Sequence, residues 1–396
     1  MKKTKKILSL ILVVTMIFAL TACGTKDEVA EGTKDTEATE GTKDTEVTAA
    51  PDVVKEADSS FKVGIIHIGD PAEGAGYSFA HDQGIVAMQA ELGLTDDQII
   101  RKNNVVDTDA VATRTAIEEC IEEGCKIIFG TSWGYMETMA ELAEEYPDVI
   151  FSHATGYMNN GTNMNNYFGR IYQPRYLAGI AAGMKTISNK IGYVAAMDIT
   201  NSEVTSGINA FALGVESVNP DAIVYVKVTN TWFDPTLEGQ AAEALLDMGC
   251  DVIAQHQDTT VAQLAAEKRG VWGCGYNTDM TLAAPKAHLT APIWNWGVYY
   301  TTATKAAMDG TWTAVDYFGG MAEGFVDISP LSENCAPGTA EKIEAAKATI
   351  VDGSFKIFEG ELYDNAGNMV CKAGEVIEDA VIKNSMNWYY KTVVVK

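Results

Sequence analysis

The chain has 396 residues, with 29 Lys and Arg against 54 Asp and Glu, giving a formal net charge of -25. That acidity excludes a phosphate-backbone partner, because nucleic-acid binding draws on clustered Lys and Arg; it suits a solvated surface outside the cell. Seven cysteines in so long a chain are too sparse for a disulfide scaffold, although a single disulfide stays open.

The chain opens with Lys2, Lys3, Lys5 and Lys6, followed by an apolar run over 7–20. A charged stretch followed by an apolar one is the pattern of a secretory signal, and the run is shorter than the ~20 residues that span a hydrocarbon core. Leu20-Thr21-Ala22-Cys23 follows at once and resembles the bacterial lipobox. The resemblance implies a signal over 1–22 and a diacylated Cys23 as the first residue afterwards; two acyl chains suffice for stable membrane attachment. Residues 23–60 read as a disordered acidic tether. Gly-Thr-Lys-Asp recurs at 24, 32 and 41 with no aromatic residue before 61, too little apolar surface to offset chain entropy.

From residue 61 strands and helices alternate. Strands are expected at 62–68, 99–106, 126–129, 149–153 and 167–171, with helices at 78–92, 109–123 and 136–145; Val111, Ile117 and Ile121 fall near one face of the second. The series then restarts, with helices at 174–185, 203–218, 237–248 and 261–268 and strands at 191–196, 222–228, 252–255 and 272–276. Gly179 and Gly183 would let the first of these helices pack closely. Runs bounded by Gly or Pro and separated by helices predict parallel sheets covered on both faces. The fold class is therefore α/β, with two doubly wound Rossmann-like lobes and a hinge. Lobe 1 is expected over 61–172 and lobe 2 over 173–286. Residues 287–396 should return to lobe 1, with helices at 299–308 and 339–350. They end in a segment, β-like at 355–364 and 393–396, that periodicity does not place.

Ligands of open α/β sheets bind beyond the carboxyl ends of the strands. Those ends carry Tyr77, Phe79, His81, Trp133, Trp232, Asp258, Asp279 and Trp296, with Asp82, Asp234 and Trp294 beside them. Aromatics interleaved with Asn, Asp and Gln supply faces to stack on and in-plane polar groups for a flat polar heterocycle. Plainer uses compete: Phe79 and Trp232 as core, Trp133 as surface, His81 as a hydrogen-bonder at a helix start, Asp258 and Asp234 as helix caps. Trp294 and Trp296, two apart, would share a face on a strand.

Catalytic motifs do not match. Only one residue separates Gly130 from Ser132, so Gly130-Thr131-Ser132-Trp133-Gly134 is not a nucleophile elbow. Gly74-Ala75-Gly76 lacks the third glycine of a dinucleotide fingerprint, the five histidines form no HExxH, and Cys120 and Cys125 have no companion ligands at zinc spacing. Neither an enzyme, a cofactor nor a metal site is expected.

Five stretches carry a family resemblance: Gly76-Tyr77-Ser78-Phe79-Ala80-His81-Asp82-Gln83-Gly84, Tyr167-Phe168-Gly169-Arg170-Ile171-Tyr172-Gln173, and those over 229–235, 254–258 and 287–297. Together they resemble the basic membrane protein family of ABC-transporter substrate-binding lipoproteins, over 61 to about 330. The resemblance implies a type I periplasmic-binding-protein fold, a purine nucleobase or nucleoside held between the lobes, an ABC importer permease as partner, and a lipid-anchored place on the outer face of the cell membrane. It matches Phe79 to the family's stacking Phe, although Gly76 and Ala80 stand where the family has Asp and Asn. It matches Trp232, ahead of Asp234-Pro235, to a second stacking aromatic, and Asp279 to an acid that contacts sugar hydroxyls. Base or nucleoside, transport or ligand sensing, and another small polar solute such as a sugar all stay open.

Overall fold

The computed structural model describes residues 59–396. The expected signal, Cys23 and all but the last two positions of the tether lie outside the described residues. In chain order the first half forms β1 (Lys62–Ile66), α1 (Gly76–Leu92), β2 (Ile99–Lys102), α2 (Ala110–Glu122), β3 (Cys125–Gly130), α3 (Met136–Glu145), β4 (Ile150–Ala154) and β5 (Met164–Gly169). The second forms α4 (Tyr172–Lys185), β6 (Lys190–Ala195), α5 (Ser202–Glu216), β7 (Ile223–Val228), α6 (Pro235–Asp247), β8 (Val252–His256), α7 (Val261–Lys268), β9 (Trp272–Cys274) and β10 (His288–Thr290). Then come β11 (Pro292–Trp294), α8 (Trp296–Met308), β12 (Tyr317–Gly319), β13 (Val326–Ile328), α9 (Thr339–Val351), β14 (Leu362–Tyr363), β15 (Met369–Cys371), α10 (Asp379–Asn384) and β16 (Val393–Val395).

Two six-stranded parallel sheets result, β12-β5-β4-β3-β1-β2 and β10-β9-β8-β6-β7-β16. Their central strands, such as Lys-Val-Gly-Ile-Ile in β1, are buried almost end to end, as helices on both faces require. This is the doubly wound α/β architecture in two lobes.

Helix starts follow local chemistry. Asp109 accepts from the backbone N–H groups of Val111 and Ala112, which opens α2 and leaves Val111 in the first turn, 76% exposed rather than on the packed face. Asp234, followed by Pro235, accepts from Thr236 and Leu237 and opens α6, which is its plainer use. The strand expected over 99–106 stops at Lys102, because Asn104 turns the chain with a left-handed φ of 58°. In lobe 2, α4 and α5 pack backbone to backbone: a methyl at Gly179 would run into the carbonyl of Phe211.

The region expected to return to lobe 1 divides. Helix α8 packs on α1 and β12 extends the lobe 1 sheet. By contrast, β10 pairs with β9 and β16 with β7, closing the two edges of the lobe 2 sheet. Three-residue strands carry no periodic signal, and the partner of β16 lies far away in sequence. Residues 355–364 form a strand only at Leu362–Tyr363. Between the lobes, β11 and β13 form an antiparallel ribbon pairing Pro292 with Ile328 and Trp294 with Val326. The C-terminal segment is tied to the first crossover, where Arg170 Nη2 reaches Asp379 at 2.7 Å and the Tyr172 hydroxyl donates to the same carboxylate at 2.9 Å. The six cysteines among the described residues are free.

A candidate ligand site between the lobes

The turn after β1 and the turn after β8 meet. Gly76, at φ +81°, has no room for a side chain, because a Cβ there would collide with the backbone oxygen of Asp258. The next residue, Tyr77, donates its hydroxyl to Thr131 O at 2.7 Å. Its ring stands edge-on to His81 at 4.4 Å and to Trp296 at 6.1 Å. Burial pushes its phenol well above the ordinary range, with Tyr167, Glu203, Tyr276 and Asp258 adding to the shift. Three of those four lie in lobe 2, so Tyr77 faces across the interface.

The wall beside Tyr77 is a stack. His81 lies on Trp296 with centroids 3.9 Å apart, and Trp296 lies on Trp294 at 4.5 Å with the planes 14° apart. The two tryptophans share a side as expected, but Trp294 ends a strand and Trp296 begins a helix. His81 Nδ1 meets the Tyr300 hydroxyl at 2.5 Å. Burial, then neighbouring His67, holds its pKa well below normal, so the imidazole is neutral. Trp294 Nε1 donates to the Tyr276 hydroxyl at 3.3 Å, which in turn donates to Glu203 Oε1 at 3.3 Å.

Lobe 2 supplies the charges. Desolvation raises Glu203 to about 7 against the attraction of Arg175 and the Tyr276 hydrogen bond. Asp258 is likewise pushed up to about 7, by burial first, although Asn277 Nδ2 donates to its Oδ1 at 2.8 Å. The Arg175 guanidinium lies over the Tyr276 ring at 4.0 Å, and Nη1 donates to Gln255 O at 2.5 Å. Several buried polar atoms lack a hydrogen-bond partner among the described residues: Arg175 Nε and Nη2, Trp296 Nε1, His81 Nε2, Asn277 Oδ1 and Gln257 Oε1. Orphaned buried polar groups are costly, and a group of them around one aromatic-walled interface is what a polar ligand would satisfy.

Of the sequence-derived site residues, the structure brings together Tyr77, His81, Asp258 and Trp296, with Trp232 alongside. Trp232 packs edge-on to His256 at 5.7 Å, and its carbonyl accepts from the Asp258 N–H. Three fall elsewhere. Phe79 is half-buried on the α1 face that carries exposed Gln83 and Val86, and no aromatic ring pairs with it among the described residues; Tyr77, two positions earlier, takes the inward place. Trp133 is 55% exposed and pairs with exposed Tyr157 at 5.7 Å. Asp279 turns outward, accepting from its own Thr281 N–H and hydroxyl, with His288 Nε2 3.5 Å away. Asp82, the neighbour of His81, is occupied by Arg101 at 2.7 Å. Glu203, Arg175, Tyr276 and Asn277 were missed. Arg175 had a readable signal, a cation inside a helix that is buried from Pro174 to Gly183, since buried charges are paired or functional.

The model of the family described as ABC transporter substrate-binding protein PnrA-like matches residues 61–360. The chain belongs to that family. It is 38% identical to a purine-binding protein of Brucella abortus over 84% of this chain and 93% of that one. It is 39% identical to a putative ABC transporter glucose-binding protein of Haloferax volcanii over 76% of this chain and 74% of that one. A solved solute-binding protein of an ABC transporter system from Aeropyrum pernix shares the fold, with a TM-score of 0.64 at 18% identity, covering 75% of this chain and 92% of that one. As a substrate-binding protein of an ABC transporter it is not an enzyme. It works outside the cytoplasm, with a small-molecule ligand and a transporter permease as partners.

Proposed function

We propose that this substrate-binding protein captures a purine nucleobase or nucleoside between its lobes and delivers it to an ABC importer, anchored to the membrane through a diacylated Cys23. The observation that carries the ligand reading is the run of flat side chains from His81 through Trp296 and Trp294 to Tyr276, ending on Glu203. His81 and Trp294 take the two faces of Trp296, so the run offers its edges and polar ends, the unpaired Trp296 Nε1–H and the Glu203 carboxylate, which suit a flat polar heterocycle. Tyr77, His81, Trp232, Asp258 and Trp296 then hold the ligand with Glu203, Arg175, Tyr276 and Asn277, while Phe79, Trp133 and Asp279 stay outside. Without Asp279 at the ligand, the expected acid for ribose hydroxyls passes to Glu203 or Asp258.

A sugar is the second reading. Two half-buried carboxylates beside aromatic rings also suit vicinal hydroxyls, and one relative at 39% identity is named for glucose. A thermal-shift series with adenine, adenosine, hypoxanthine, inosine and glucose separates the two. A ligand at 100 times its Kd stabilises by about 2.7 kcal/mol. A shift with purine compounds and none with glucose is the expected result; the reverse assigns the sugar reading.

A further inference from the structure

The purine reading leaves the kind of purine open, and the lobe 2 wall narrows it; the inference rests on that reading. Glu203 and Asp258 accept hydrogen bonds only, once ionised. Asp258 also fixes its neighbour. Because a carboxylate cannot donate, the Asn277 amide turns its nitrogen to Asp258 at 2.8 Å, and its oxygen is left buried with no partner among the described residues. Gln257 is set in the same way. Its Nε2 donates to the Thr229 hydroxyl oxygen at 2.5 Å, while that hydroxyl gives its proton to backbone oxygen, and Gln257 Oε1 is left buried and unpaired among the described residues. Asn277 is 1% exposed and Gln257 0%, so solvent does not satisfy either oxygen.

Lobe 2 therefore offers two carboxylates and two orphaned amide oxygens. The unpaired donors sit on two other residues: Trp296 Nε1–H on the stack, and Arg175 Nε and Nη2 over the Tyr276 ring, where the guanidinium charge is set against Glu203. An exocyclic carbonyl turned to the Asp258–Asn277 pair would meet acceptors and leave the amide oxygens unpaired. An exocyclic amine there presents two N–H donors, and its adjacent ring nitrogen can accept from an N–H. We propose that the Asp258–Asn277 pair with Glu203 selects a purine carrying an exocyclic amine, of the adenine or guanine type, over one whose exocyclic groups are all carbonyls, of the hypoxanthine or xanthine type. A site built to hydrogen-bond a substrate N–H discriminates strongly against an analogue lacking it, because its own buried groups are then unpaired.

The test is calorimetric titration of the purified protein with adenine, guanine, hypoxanthine and xanthine at pH 8. The expected result is that adenine or guanine binds at least tenfold tighter than both hypoxanthine and xanthine. Hypoxanthine or xanthine binding as tightly as either amine overturns the inference while leaving the purine reading intact. No heat from any of the four, nor from adenosine, guanosine or inosine, overturns the purine reading itself. In Asp258→Asn, with its fold checked by circular dichroism, the tenfold preference should shrink to about twofold or less; an undiminished preference removes Asp258 from the selection.

Discussion

The indole of Trp296 lies flat on the imidazole of His81, with centroids 3.9 Å apart and planes 20° apart. The pair joins α8, which arrives after the chain has crossed from lobe 2, to α1 of lobe 1. Trp296 is fully buried and also stacks on Trp294, so it is both core and wall of the site. Trp296→Ala should cost ~3–5 kcal/mol of stability, the range for truncating a buried aromatic, and Trp296→Phe should cost clearly less. Urea denaturation gives both values; an alanine variant within about 1 kcal/mol of wild type would mean the stack is dispensable.

Glu203 links the site to pH. Its carboxyl is raised to about 7 in the folded protein, by desolvation first, from an ordinary 4.5. The native state therefore holds a proton that the unfolded chain releases, and this group makes stability fall as pH rises from about 4.5 to 7. Glu203→Gln removes that loss. The stability of the variant relative to wild type should rise between pH 5 and pH 8, by on the order of 3 kcal/mol at most. His256, 3.4 Å away and held neutral by burial, makes stability rise with pH instead, but it is present in both proteins and cancels in their difference. Denaturant titrations at the two pH values test this, and a pH-independent difference would show that folding does not raise this carboxyl.

Gly76 sets how closely the lobes approach. Its φ of +81° and its contact with the Asp258 oxygen leave no space for a methyl group. Gly76→Ala should hold the lobes apart and weaken ligand binding by roughly tenfold or more, about 1.4 kcal/mol per decade, while each lobe keeps its own core. Small-angle scattering should show the variant failing to compact at saturating ligand while the wild type contracts. Wild-type affinity in the variant would show that closure does not use this contact.

The proposed anchor has its own test. Cys23→Ser should release the protein from membranes or block its processing. A variant that still fractionates wholly with membrane would remove Cys23 as the lipidated residue.

What the sequence made legible follows from its physics. Buried parallel strands and amphipathic helices announce themselves by apolar runs and punctuation, so the two-lobe α/β plan could be read from residues such as those of β1 and β8. The stretch over 393–396 reads as β-like, but the place of β16 could not be read, because it depends on β7 far back in the chain, and β10 has too few residues to show a period. The site was legible in kind but not in phase. Phe79 and Tyr77 lie about 200° apart on a helix, and the family-like motif does not say which points inward. Asp279 and Glu203 illustrate a second limit. Both follow strand ends, yet Asp279 bonds within its own turn while Glu203 meets Tyr276 from 73 positions away. Only the folded chain brings that pair together.

The central claim is that a purine sits against the residues around Tyr77 and Trp232 rather than at the outward residues of the same loops. It is tested most directly by titrating adenine, by calorimetry, into the wild-type protein and into the Trp232→Ala and Phe79→Ala variants. Stacking of a base on an aromatic ring is worth ~1–3 kcal/mol, so Trp232→Ala should weaken binding roughly 5- to 150-fold, with Phe79→Ala within about twofold of wild type. Wild-type affinity in Trp232→Ala together with loss of binding in Phe79→Ala would contradict the account.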